Sequence, residues 1–381
     1  MRTLLLVLLL PLTVIADDSP RARDLGIPFE GKPGTFNAIT DVAGVTVGFE
    51  TIIADLSDDK AVRTGVTAIL PRGEETNDKP VFGGWFSLNG NGEMTGTTWV
   101  EESGFIEGPI MITNTHSIGA VHEGTIRWRY EHGAADSSGY WWSLPVIAET
   151  WDGYLNDING FHVRPEHASA ALESAQGGPV AEGNIGGGTA MNCFEFKCGT
   201  GTSSRVTEAA GESYTVGVLV QANFGRRDEL IVAGVPVGKH LRDDMVFSGD
   251  IPDDEEIGSI IIVVGTDAPL MPHQLKRLTR RAALGLSRTG SIAGNGSGDI
   301  FIAFSTANEQ ANQANSGVSI DTLSNEDIGP LFRATVQATE EAITNALVAG
   351  RDMTGNRGNT VRGIDHDRLK SVLREYSRLA E

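Results

Sequence analysis

A serine between two glycines, at the start of an apolar run, is the part of this sequence best suited to chemistry. In the segment NGSGDIFIAFS, Ser297 follows Gly296. A serine hydroxyl placed in this way can attack the preceding carbonyl carbon, form an ester and, after hydrolysis, become a new N-terminal residue. The freed α-amine has an ordinary pKa of roughly 8, so it can serve as the base for its own hydroxyl. The same pattern also fits a plain turn into a strand, with the glycines supplying positive φ angles.

Other arrangements for catalysis have less support in the sequence. Ser297 does not sit in a Gly-x-Ser-x-Gly elbow, because Asn295 and Asp299 occupy the neighbouring places. An N-terminal nucleophile needs no imidazole base, so His116 and His273 are expected to be structural. Three scattered acidic residues lack the spacing of a metal-binding loop: Asp152, Asp157 and Asp267. No metal and no cofactor are expected.

The elements that must position Ser297 show both strand and helix patterns. Valines at period two predict an early strand in DVAGVTVGFE, and continuous apolar runs predict buried strands in SYTVGVLVQANFG, in GSIIIVVGTDAPL and after Ser297. Apolar residues at helical spacing predict helices over residues 117–132, from Pro272 onward, in ATVQATEEAITNALVAG with a stop near Gly350, and at the C-terminus. No linker or internal repeat interrupts the pattern, which indicates one layered domain.

Composition narrows the class of protein further. The 381 residues include 30 basic and 50 acidic side chains, for a formal charge of -20, so nucleic acid is a poor partner. The 47 glycines have no three-residue period and indicate tight turns rather than collagen.

The N-terminus has the three-part pattern of a secretory signal. Arg2 precedes an apolar run from Leu4 to Ile15, which is followed by the small residue Ala16. We expect a signal peptide over residues 1–16 and export to the periplasm or the medium. The alternative is an uncleaved membrane anchor, although the run is short for a bilayer and no later segment offers about twenty apolar residues.

The two cysteines leave one question open. Cys193 and Cys198 are the only cysteines in the chain. Export permits a disulfide between them, but loops this short are often strained, so two buried free thiols are an equal alternative.

Eight segments together carry a resemblance to a known family. They are RARDLGIPFEG, NAITDVAGVTVG, NGNGEMTG, AETWDGYLNDING, GVLVQANFG, VVGTDAPLMPHQLKRL, NGSGDIFIAFSTAN and ATEEAITNAL. They resemble the self-processing serine aminopeptidases, which include L-aminopeptidase/D-amidase/esterase and the β-peptidyl aminopeptidases, from about residue 21 to residue 350. The resemblance implies an α+β fold, an αββα four-layer sandwich similar to that of the N-terminal nucleophile hydrolases, in a single domain. It also implies homo-oligomers of a processed heterodimer.

Site residues follow from the resemblance position by position. Ser297 matches the nucleophile, with Gly296 on the other side of the cleaved bond. Processing would give an α chain over residues 17–296 and a β chain over residues 297–381.

Five more residues are expected in the site. Asn223 is a candidate oxyanion donor, or else a turn cap before a glycine. Tyr154 could donate to the same oxyanion, or be a half-buried aromatic with a wet hydroxyl. Glu149 could bind the substrate ammonium group, or be a solvated carboxylate. Thr339 and Glu341 are expected beside the nucleophile; the family commonly has Ser at the first of these positions, and Glu341 would otherwise be a surface charge.

The function implied is an exported aminopeptidase that removes N-terminal residues from small peptides, amides or esters with a free amine, through an acyl-enzyme on Ser297. One alternative is an acyltransferase of the ornithine acetyltransferase type, against which the exported N-terminus and the serine at position 297 argue. Another is a non-catalytic binding protein on the same fold, against which the intact Gly296-Ser297 junction argues. The choice among α-, β- and D-configured first residues depends on pocket shape, which the sequence leaves open.

Overall fold

Two β-sheets lie face to face at the centre of the molecule, and α-helices cover their outer faces. The fold comes from a computed structural model, which describes residues 20–57, 59–243, 245–246, 257–313 and 317–380. The expected signal peptide lies outside the described residues.

Fourteen strands are present in the described part of the chain. They are β1 (Thr46–Ser57), β2 (Lys60–Leu70), β3 (Val81–Gly90), β4 (Phe105–Ile106), β5 (Ile110–Asn114), β6 (Val146–Thr150), β7 (Asn192–Cys193), β8 (Phe196–Lys197), β9 (Thr200–Ala209), β10 (Glu212–Asn223), β11 (Ile257–Thr266), β12 (Gly296–Ser305), β13 (Met353–Thr354) and β14 (Thr360–Val361).

Six α-helices accompany them. They are α1 (Thr97–Ser103), α2 (Ile118–Glu131), α3 (Pro165–Glu173), α4 (Pro272–Arg288), α5 (Gly329–Ala349) and α6 (His366–Glu375). Short 3₁₀ helices span Ile39–Asp41, Gly73–Asn77, Thr115–Ser117, Ile158–Gly160, Gly186–Gly188, Arg227–Glu229, Val237–Lys239 and Asn356–Gly358.

The two large sheets are mixed. One has the strand order β1-β2-β5-β6, and the other has the order β4-β3-β12-β11-β10-β9. Within them, β5 pairs with β6 and β11 pairs with β12 in parallel, while the remaining pairs are antiparallel. Two small hairpins, β7-β8 and β13-β14, lie outside the large sheets.

Three apolar layers hold the four structural layers together. Helices α2 and α3 pack on the four-stranded sheet, the two sheets pack on each other, and α4 and α5 pack on the six-stranded sheet. Strand β11 shows why its sequence is apolar at every position. Ile261 points between the sheets, whereas Ile260 and Ile262 point toward the helices, so both faces of this central strand are buried.

The predicted helices are confirmed with small changes at their ends. Pro272 begins α4, and Gly350 is the residue at which α5 stops. Helix α5 begins earlier than its apolar pattern indicates, because Pro330 fits the first turn of a helix. The C-terminal helix ends at Glu375.

The question about the cysteines is answered by the structure. Cys193 and Cys198 form a disulfide with an S–S distance of 2.03 Å, which joins the two strands of the β7-β8 hairpin. Among the described residues, none of the helices is both long enough and apolar enough to cross a membrane.

Candidate active site

One end of the six-stranded sheet brings polar residues from three neighbouring strands together. The register pairs Asn223, the last residue of β10, with Ser259 on β11, and it pairs Ser259 with Gly298 on β12. Side chains at paired positions lie on the same face, with Cβ atoms roughly 4.5–5.5 Å apart in an antiparallel pair. Asn223 and Ser259 are therefore immediate neighbours.

Ser259 faces the four-stranded sheet. It lies two residues before Ile261, whose side chain packs between the sheets, and strand alternation puts both side chains on that face. The hydroxyl of Ser259 is buried and has no hydrogen-bond partner among the described residues. A buried hydroxyl normally finds a partner, so an unpaired one at a strand end is unusual.

Glu149 approaches the same place from the opposite sheet. It lies near the end of β6 and is only 3% exposed. Its Oε1 accepts a hydrogen bond of 3.0 Å from the backbone N–H of Glu93, and its Oε2 accepts one from the hydroxyl of Thr115. A Cβ added to Gly92 would lie 3.2 Å from both Glu149 Oε1 and the Cα of Gly298, so the carboxylate lies close to the backbone next to Ser259.

The surroundings of Glu149 shift the pKa of its carboxyl group in opposing directions. Burial raises the pKa of this carboxyl, while the hydrogen bonds from Thr115 and from the N–H of Glu93 oppose that increase. A carboxylate has about four lone-pair positions, so these two bonds leave it able to accept from a cationic group.

The amide of Asn223 joins this strand end to two other segments. Its Nδ2 donates to the carbonyl oxygen of Trp151 at 2.9 Å, and its Oδ1 accepts from the backbone N–H of Asn192 at 2.9 Å. The Nδ2 group has two hydrogens, and the bond to Trp151 uses one of them. Asn223 thus holds the loop after β6 rather than capping its own turn, and it can still offer a hydrogen to a substrate oxygen.

Tyr154 lies in the loop that Asn223 holds. It is half-buried and packs against a small apolar cluster that contains Leu155 and Val361, and its carbonyl oxygen accepts from Asn359 Nδ2 at 2.8 Å. The loop is therefore held at two points, by Asn223 at Trp151 and by Asn359 at Tyr154.

Ser297 lies on the adjacent strand but on the other face. It pairs with Gly258 in register, and Phe301, four residues further along β12, packs toward the helices. Its Oγ donates to Asp299 Oδ1 at 2.7 Å, and the carbonyl oxygen of Gly296 accepts from Asn91 Nδ2 at 2.8 Å.

This orientation separates Ser297 from its expected partners. Strand alternation turns its side chain toward the helical layer, whereas Asn223 lies on the face between the sheets, two residues after Gln221. Asn223 is therefore beside Ser259 and not beside Ser297. Glu149 lies close to the backbone of Gly298, which follows Ser297 in the chain and pairs with Ser259 in the sheet.

Glu341 is not beside the nucleophile, which corrects the expectation from the resemblance. It is completely buried, and its carboxylate binds Arg205 at 2.6 Å, Arg23 at 2.7 Å and the amide of Asn37 at 2.6 Å. Burial alone would raise its pKa, but the hydrogen bonds from Arg23 and Asn37 and the charges of the two arginines outweigh burial and lower it.

The sheet register shows how far Glu341 is from the strand end that carries the serines. Its partner Arg205 pairs with Val216, Val216 pairs with Thr266, and Thr266 pairs with Ser305 at the far end of β12. Ser305 lies eight residues beyond Ser297, which is roughly 25 Å along a strand.

Thr339 also has a structural place, which corrects the second expectation. Its Oγ1 donates to the carbonyl of Thr335 within α5 at 2.8 Å. A Cβ on Gly285 would lie 2.5 Å from the Cβ of Thr339, so this residue lies where α4 and α5 touch. It contributes to helix packing.

The three acids considered as metal ligands each have a protein partner. Asp152 accepts from Asn156 Nδ2 at 3.0 Å, the carboxylate of Asp157 pairs with His162 at 3.1 Å, and Asp267 accepts from a backbone N–H at 2.7 Å. Within the described residues, no group of three or more His, Cys, Asp or Glu side chains is arranged to hold a metal ion.

Sequence reasoning missed Ser259, although a signal for it was present. Gly258-Ser259 directly precedes the apolar run IIIVV, whereas Gly296-Ser297 is separated from IFIAF by Gly298 and Asp299. Thr115, which supports Glu149, and Asn192, which supports Asn223, had no signal, because both act through contacts between distant segments.

Two sheets lie between helical layers, and one strand end brings together an amide, a buried carboxylate and a serine that has no hydrogen-bond partner in the described part of the chain. These features define an α+β hydrolase similar to the N-terminal nucleophile hydrolases. Comparison with known proteins agrees. Residues 37–361 match the model of peptidase family S58. The chain belongs to this family.

Similar proteins share nearly the full length of the chain. A β-peptidyl aminopeptidase, BapA of Sphingosinicella microcystinivorans, is 53% identical over 95% of this chain and 94% of its own. The structure of L-aminopeptidase D-Ala-esterase/amidase from Ochrobactrum anthropi, described as a prototype of the serine aminopeptidases and a variant of the Ntn hydrolase fold, has a TM-score of 0.89 at 51% identity and covers 95% of this chain and 100% of that one. A Burkholderia sp. β-aminopeptidase has a TM-score of 0.84 at 47% identity, covering 93% and 99%.

These findings confirm the expected family, the α+β fold class and an aminopeptidase/amidase activity. The protein is therefore an enzyme, and the alternative of a non-catalytic binding protein is set aside.

The position of Glu341 leads to a prediction about stability. Glu341→Gln leaves the buried guanidinium of Arg205 without its charge partner, and breaking a buried ion pair in this way costs about 3–5 kcal/mol. We expect a large loss of unfolding free energy in urea denaturation, with little change in kcat of the folded protein. The matched control is Glu340→Gln on the same helix, whose partner Arg288 is half-exposed, where the cost should be about 1 kcal/mol or less.

The pH dependence of the same variant supplies a second readout. Because the folded-state pKa of Glu341 lies below its ordinary value of 4.5, the stability it contributes is present above that value and is lost as pH falls through the lowered pKa. Glu341→Gln should flatten this acid-side loss. A variant with unchanged stability and a clear fall in kcat would instead return Glu341 to the catalytic site.

Proposed function

We propose that the protein is an exported, self-processing serine aminopeptidase whose nucleophile is Ser259. The observation that carries the proposal is the buried hydroxyl of Ser259, which has no hydrogen-bond partner among the described residues and lies beside Asn223 on one face of the six-stranded sheet. The carboxylate of Glu149 approaches this strand end from the other sheet. A nucleophile, an amide donor and a carboxylate are the groups that hydrolysis of an aminoacyl substrate needs.

Ser259 and Ser297 are the two candidate nucleophiles, and their surroundings differ. The hydroxyl of Ser297 is already bonded to Asp299 and lies on the helix side of its strand. The hydroxyl of Ser259 has no partner among the described residues and stands beside Asn223. The backbone at Gly258 also packs tightly, since a Cβ there would lie 2.2 Å from the carbonyl oxygen of Asn223. We therefore favour Ser259 and keep Ser297 as the tested alternative.

Self-processing would use the same groups as substrate hydrolysis. The Oγ of Ser259 attacks the carbonyl carbon of Gly258, the peptide C–N bond breaks, and an ester forms while the amine takes the proton. Water then cleaves the ester. The products would be an α chain over residues 17–258 and a β chain over residues 259–381, in place of a division at position 297.

In the mature enzyme, the free α-amine of Ser259 takes the proton of its own hydroxyl as Oγ attacks the substrate carbonyl. The remaining N–H hydrogen of Asn223 donates to the developing oxyanion. The amine then passes the proton to the leaving group, and the acyl-enzyme that remains is hydrolysed by water.

Glu149 would select substrates with a free amine. A buried carboxylate that still has capacity to accept can hold an ammonium group through a charge-assisted hydrogen bond. Small peptides, amides and esters with a free N-terminus fit this site, and the β-peptidyl aminopeptidase at 53% identity supports β-amino acids as the first residue.

Export and assembly complete the proposal. The N-terminal pattern supports a signal peptide over residues 1–16 and a location in the periplasm or the medium, with no stable membrane anchor. We also propose that processed heterodimers form homo-oligomers.

The nucleophile can be identified from the new N-terminus of the smaller chain. Mass spectrometry and N-terminal sequencing of the denatured protein should give a fragment that begins at Ser259. Ser259→Ala should stay a single chain without activity, whereas Ser297→Ala should still be cleaved at the same bond. A fragment that begins at Ser297 would overturn the assignment to Ser259.

Substrate selection by Glu149 predicts a strong preference for free amines. Losing a charge-assisted hydrogen bond to a buried partner costs on the order of 1.5–3 kcal/mol, so kcat/KM for an N-acetylated amide should be about ten- to a hundredfold lower than for the free amine. Glu149→Gln should remove most of this discrimination. Equal turnover of free and acetylated substrates by the parent enzyme would exclude the ammonium-binding role.

The hydroxyl of Thr115 should tune the pH dependence of substrate binding. Its bond to Glu149 stabilises the carboxylate, so Thr115→Val should raise the pKa of Glu149 further. Glu149 then becomes protonated at higher pH, and the acid limb of the kcat/KM profile should move upward in pH. Thr344→Val, which removes a hydroxyl bonded only to a helix carbonyl among the described residues, is the matched control. Profiles that coincide for all three proteins would contradict this role.

A further inference from the structure

A short hairpin closed by the disulfide lies directly behind Asn223. We call residues 192–198 the disulfide hairpin: it contains β7, β8 and the bond between Cys193 and Cys198. Both residues at its tip, Phe194 and Glu195, have positive φ angles, of 52° and 60°. Such angles are uncommon for residues other than glycine, so the hairpin needs contacts that hold it in this shape.

The first contacts of the disulfide hairpin are with Asn223 and the residue after it. The backbone N–H of Asn192 donates to Asn223 Oδ1 at 2.9 Å, and the N–H of Phe194 donates to the carbonyl of Phe224 at 2.7 Å. The rings of Phe194 and Phe224 meet edge to face with their centroids 5.0 Å apart. The hairpin thus holds both the side chain of Asn223 and the backbone that follows it.

Arg227 extends the same attachment. Its Nε donates to the carbonyl of Phe194 at 2.9 Å and its Nη2 to the carbonyl of Glu195 at 2.7 Å. Its guanidinium also lies over the ring of Phe196, 3.4 Å from the centroid, and the side chain is almost fully buried. Residues 223–227 therefore rest against the hairpin along their length.

The base of the hairpin is closed by a buried lysine. The Nζ of Lys197 donates to the carbonyls of Met191 at 2.9 Å and Cys198 at 2.7 Å, which are the residues just before β7 and just after β8. Burial lowers the pKa of Lys197 well below its ordinary value. The disulfide and this lysine together fix the separation of the two strands.

We infer that the Cys193–Cys198 disulfide is a positioning element for catalysis, because it holds the Asn192 N–H that orients the amide of Asn223. An amide can rotate so that oxygen and NH2 exchange places, and with oxygen toward the reacting carbonyl it would repel the oxyanion. A fixed donor at Oδ1 prevents this exchange. The inference rests on the proposed role of Asn223 as oxyanion donor. Disulfides persist in oxidising compartments, so a disulfide with this role is consistent with the proposed export.

The test is a kinetic comparison of cysteine variants. Cys193→Ser/Cys198→Ser should reduce kcat by roughly ten- to a hundredfold, less than the about 100- to 1000-fold expected for Asn223→Ala, and should slow self-processing similarly. KM for an amide with a free amine should change less than twofold or so, because Glu149 is not touched. Cys193→Ala/Cys198→Val, with apolar side chains of similar size, gives the same test if the serine pair folds poorly.

A control separates positioning from general loss of stability. Leu172→Ala removes a buried side chain from α3, on the other side of the molecule, and should lower Tm without lowering kcat at a temperature well below unfolding. The cysteine variants, compared at a matched distance below their own Tm, should still be slow.

Combining the cysteine changes with Asn223→Ala gives the decisive measurement. If the disulfide acts through Asn223, the triple variant should be no slower than Asn223→Ala alone, whereas independent effects would multiply. The inference about the disulfide would be overturned by a cysteine variant with the parent's kcat and processing rate. It would also be overturned if the losses in kcat multiplied in the triple variant. Either result would leave the oxyanion role of Asn223 intact. If Asn223→Ala itself keeps the parent's kcat, the proposed oxyanion role fails, and the inference with it.

Discussion

The backbone register across β10, β11 and β12 decides which side chains can act together. It sets Asn223 beside Ser259, and Ser259 beside a glycine, in one row across three strands. A shift of one residue in β11 would turn Ser259 to the helix side and leave Asn223 without a neighbouring hydroxyl. Buried apolar residues on both faces of β11 prevent this shift, because every second side chain must fit a different core. The site thus depends on packing far from the reacting atoms.

A buried polar contact joins the two sheets below this row. Gln221 on β10 donates through Nε2 to the carbonyl of Thr113 at 3.0 Å and to the hydroxyl of Thr150 at 2.7 Å. Thr150 directly follows Glu149, so the strand that carries the carboxylate is held at a fixed place against the strand that carries Asn223. Hydrogen bonds of this kind fix orientation as well as distance, which a purely apolar contact does not.

Two buried glutamates have different roles because their partners differ. Glu341 binds two arginines and an asparagine, which lower the pKa of its carboxyl group. Its charge is neutralised by Arg23 and Arg205, and these ion pairs hold the N-terminal segment and β9 to α5. Among the described residues, the hydrogen bonds to Glu149 come from uncharged donors, and burial raises the pKa of its carboxyl group. A carboxylate whose charge is not neutralised by an arginine in this way can bind a cationic substrate.

The sequence by itself determined the family, the fold class and the main elements, because long ordered motifs and apolar periodicity are local properties of the chain. It also selected Asn223 and Glu149, which approach the same end of the six-stranded sheet, and Tyr154, which lies in the loop that Asn223 holds. It pointed to Ser297 and passed over the second Gly-Ser junction at Ser259, and it did not foresee that Glu341 and Thr339 serve packing. Those outcomes depend on strand register, on the face to which each side chain turns and on partners more than a hundred residues away. Only the tertiary structure fixes these relations, because hydrogen bonding between strands and burial against the helices act between segments that are distant in the chain.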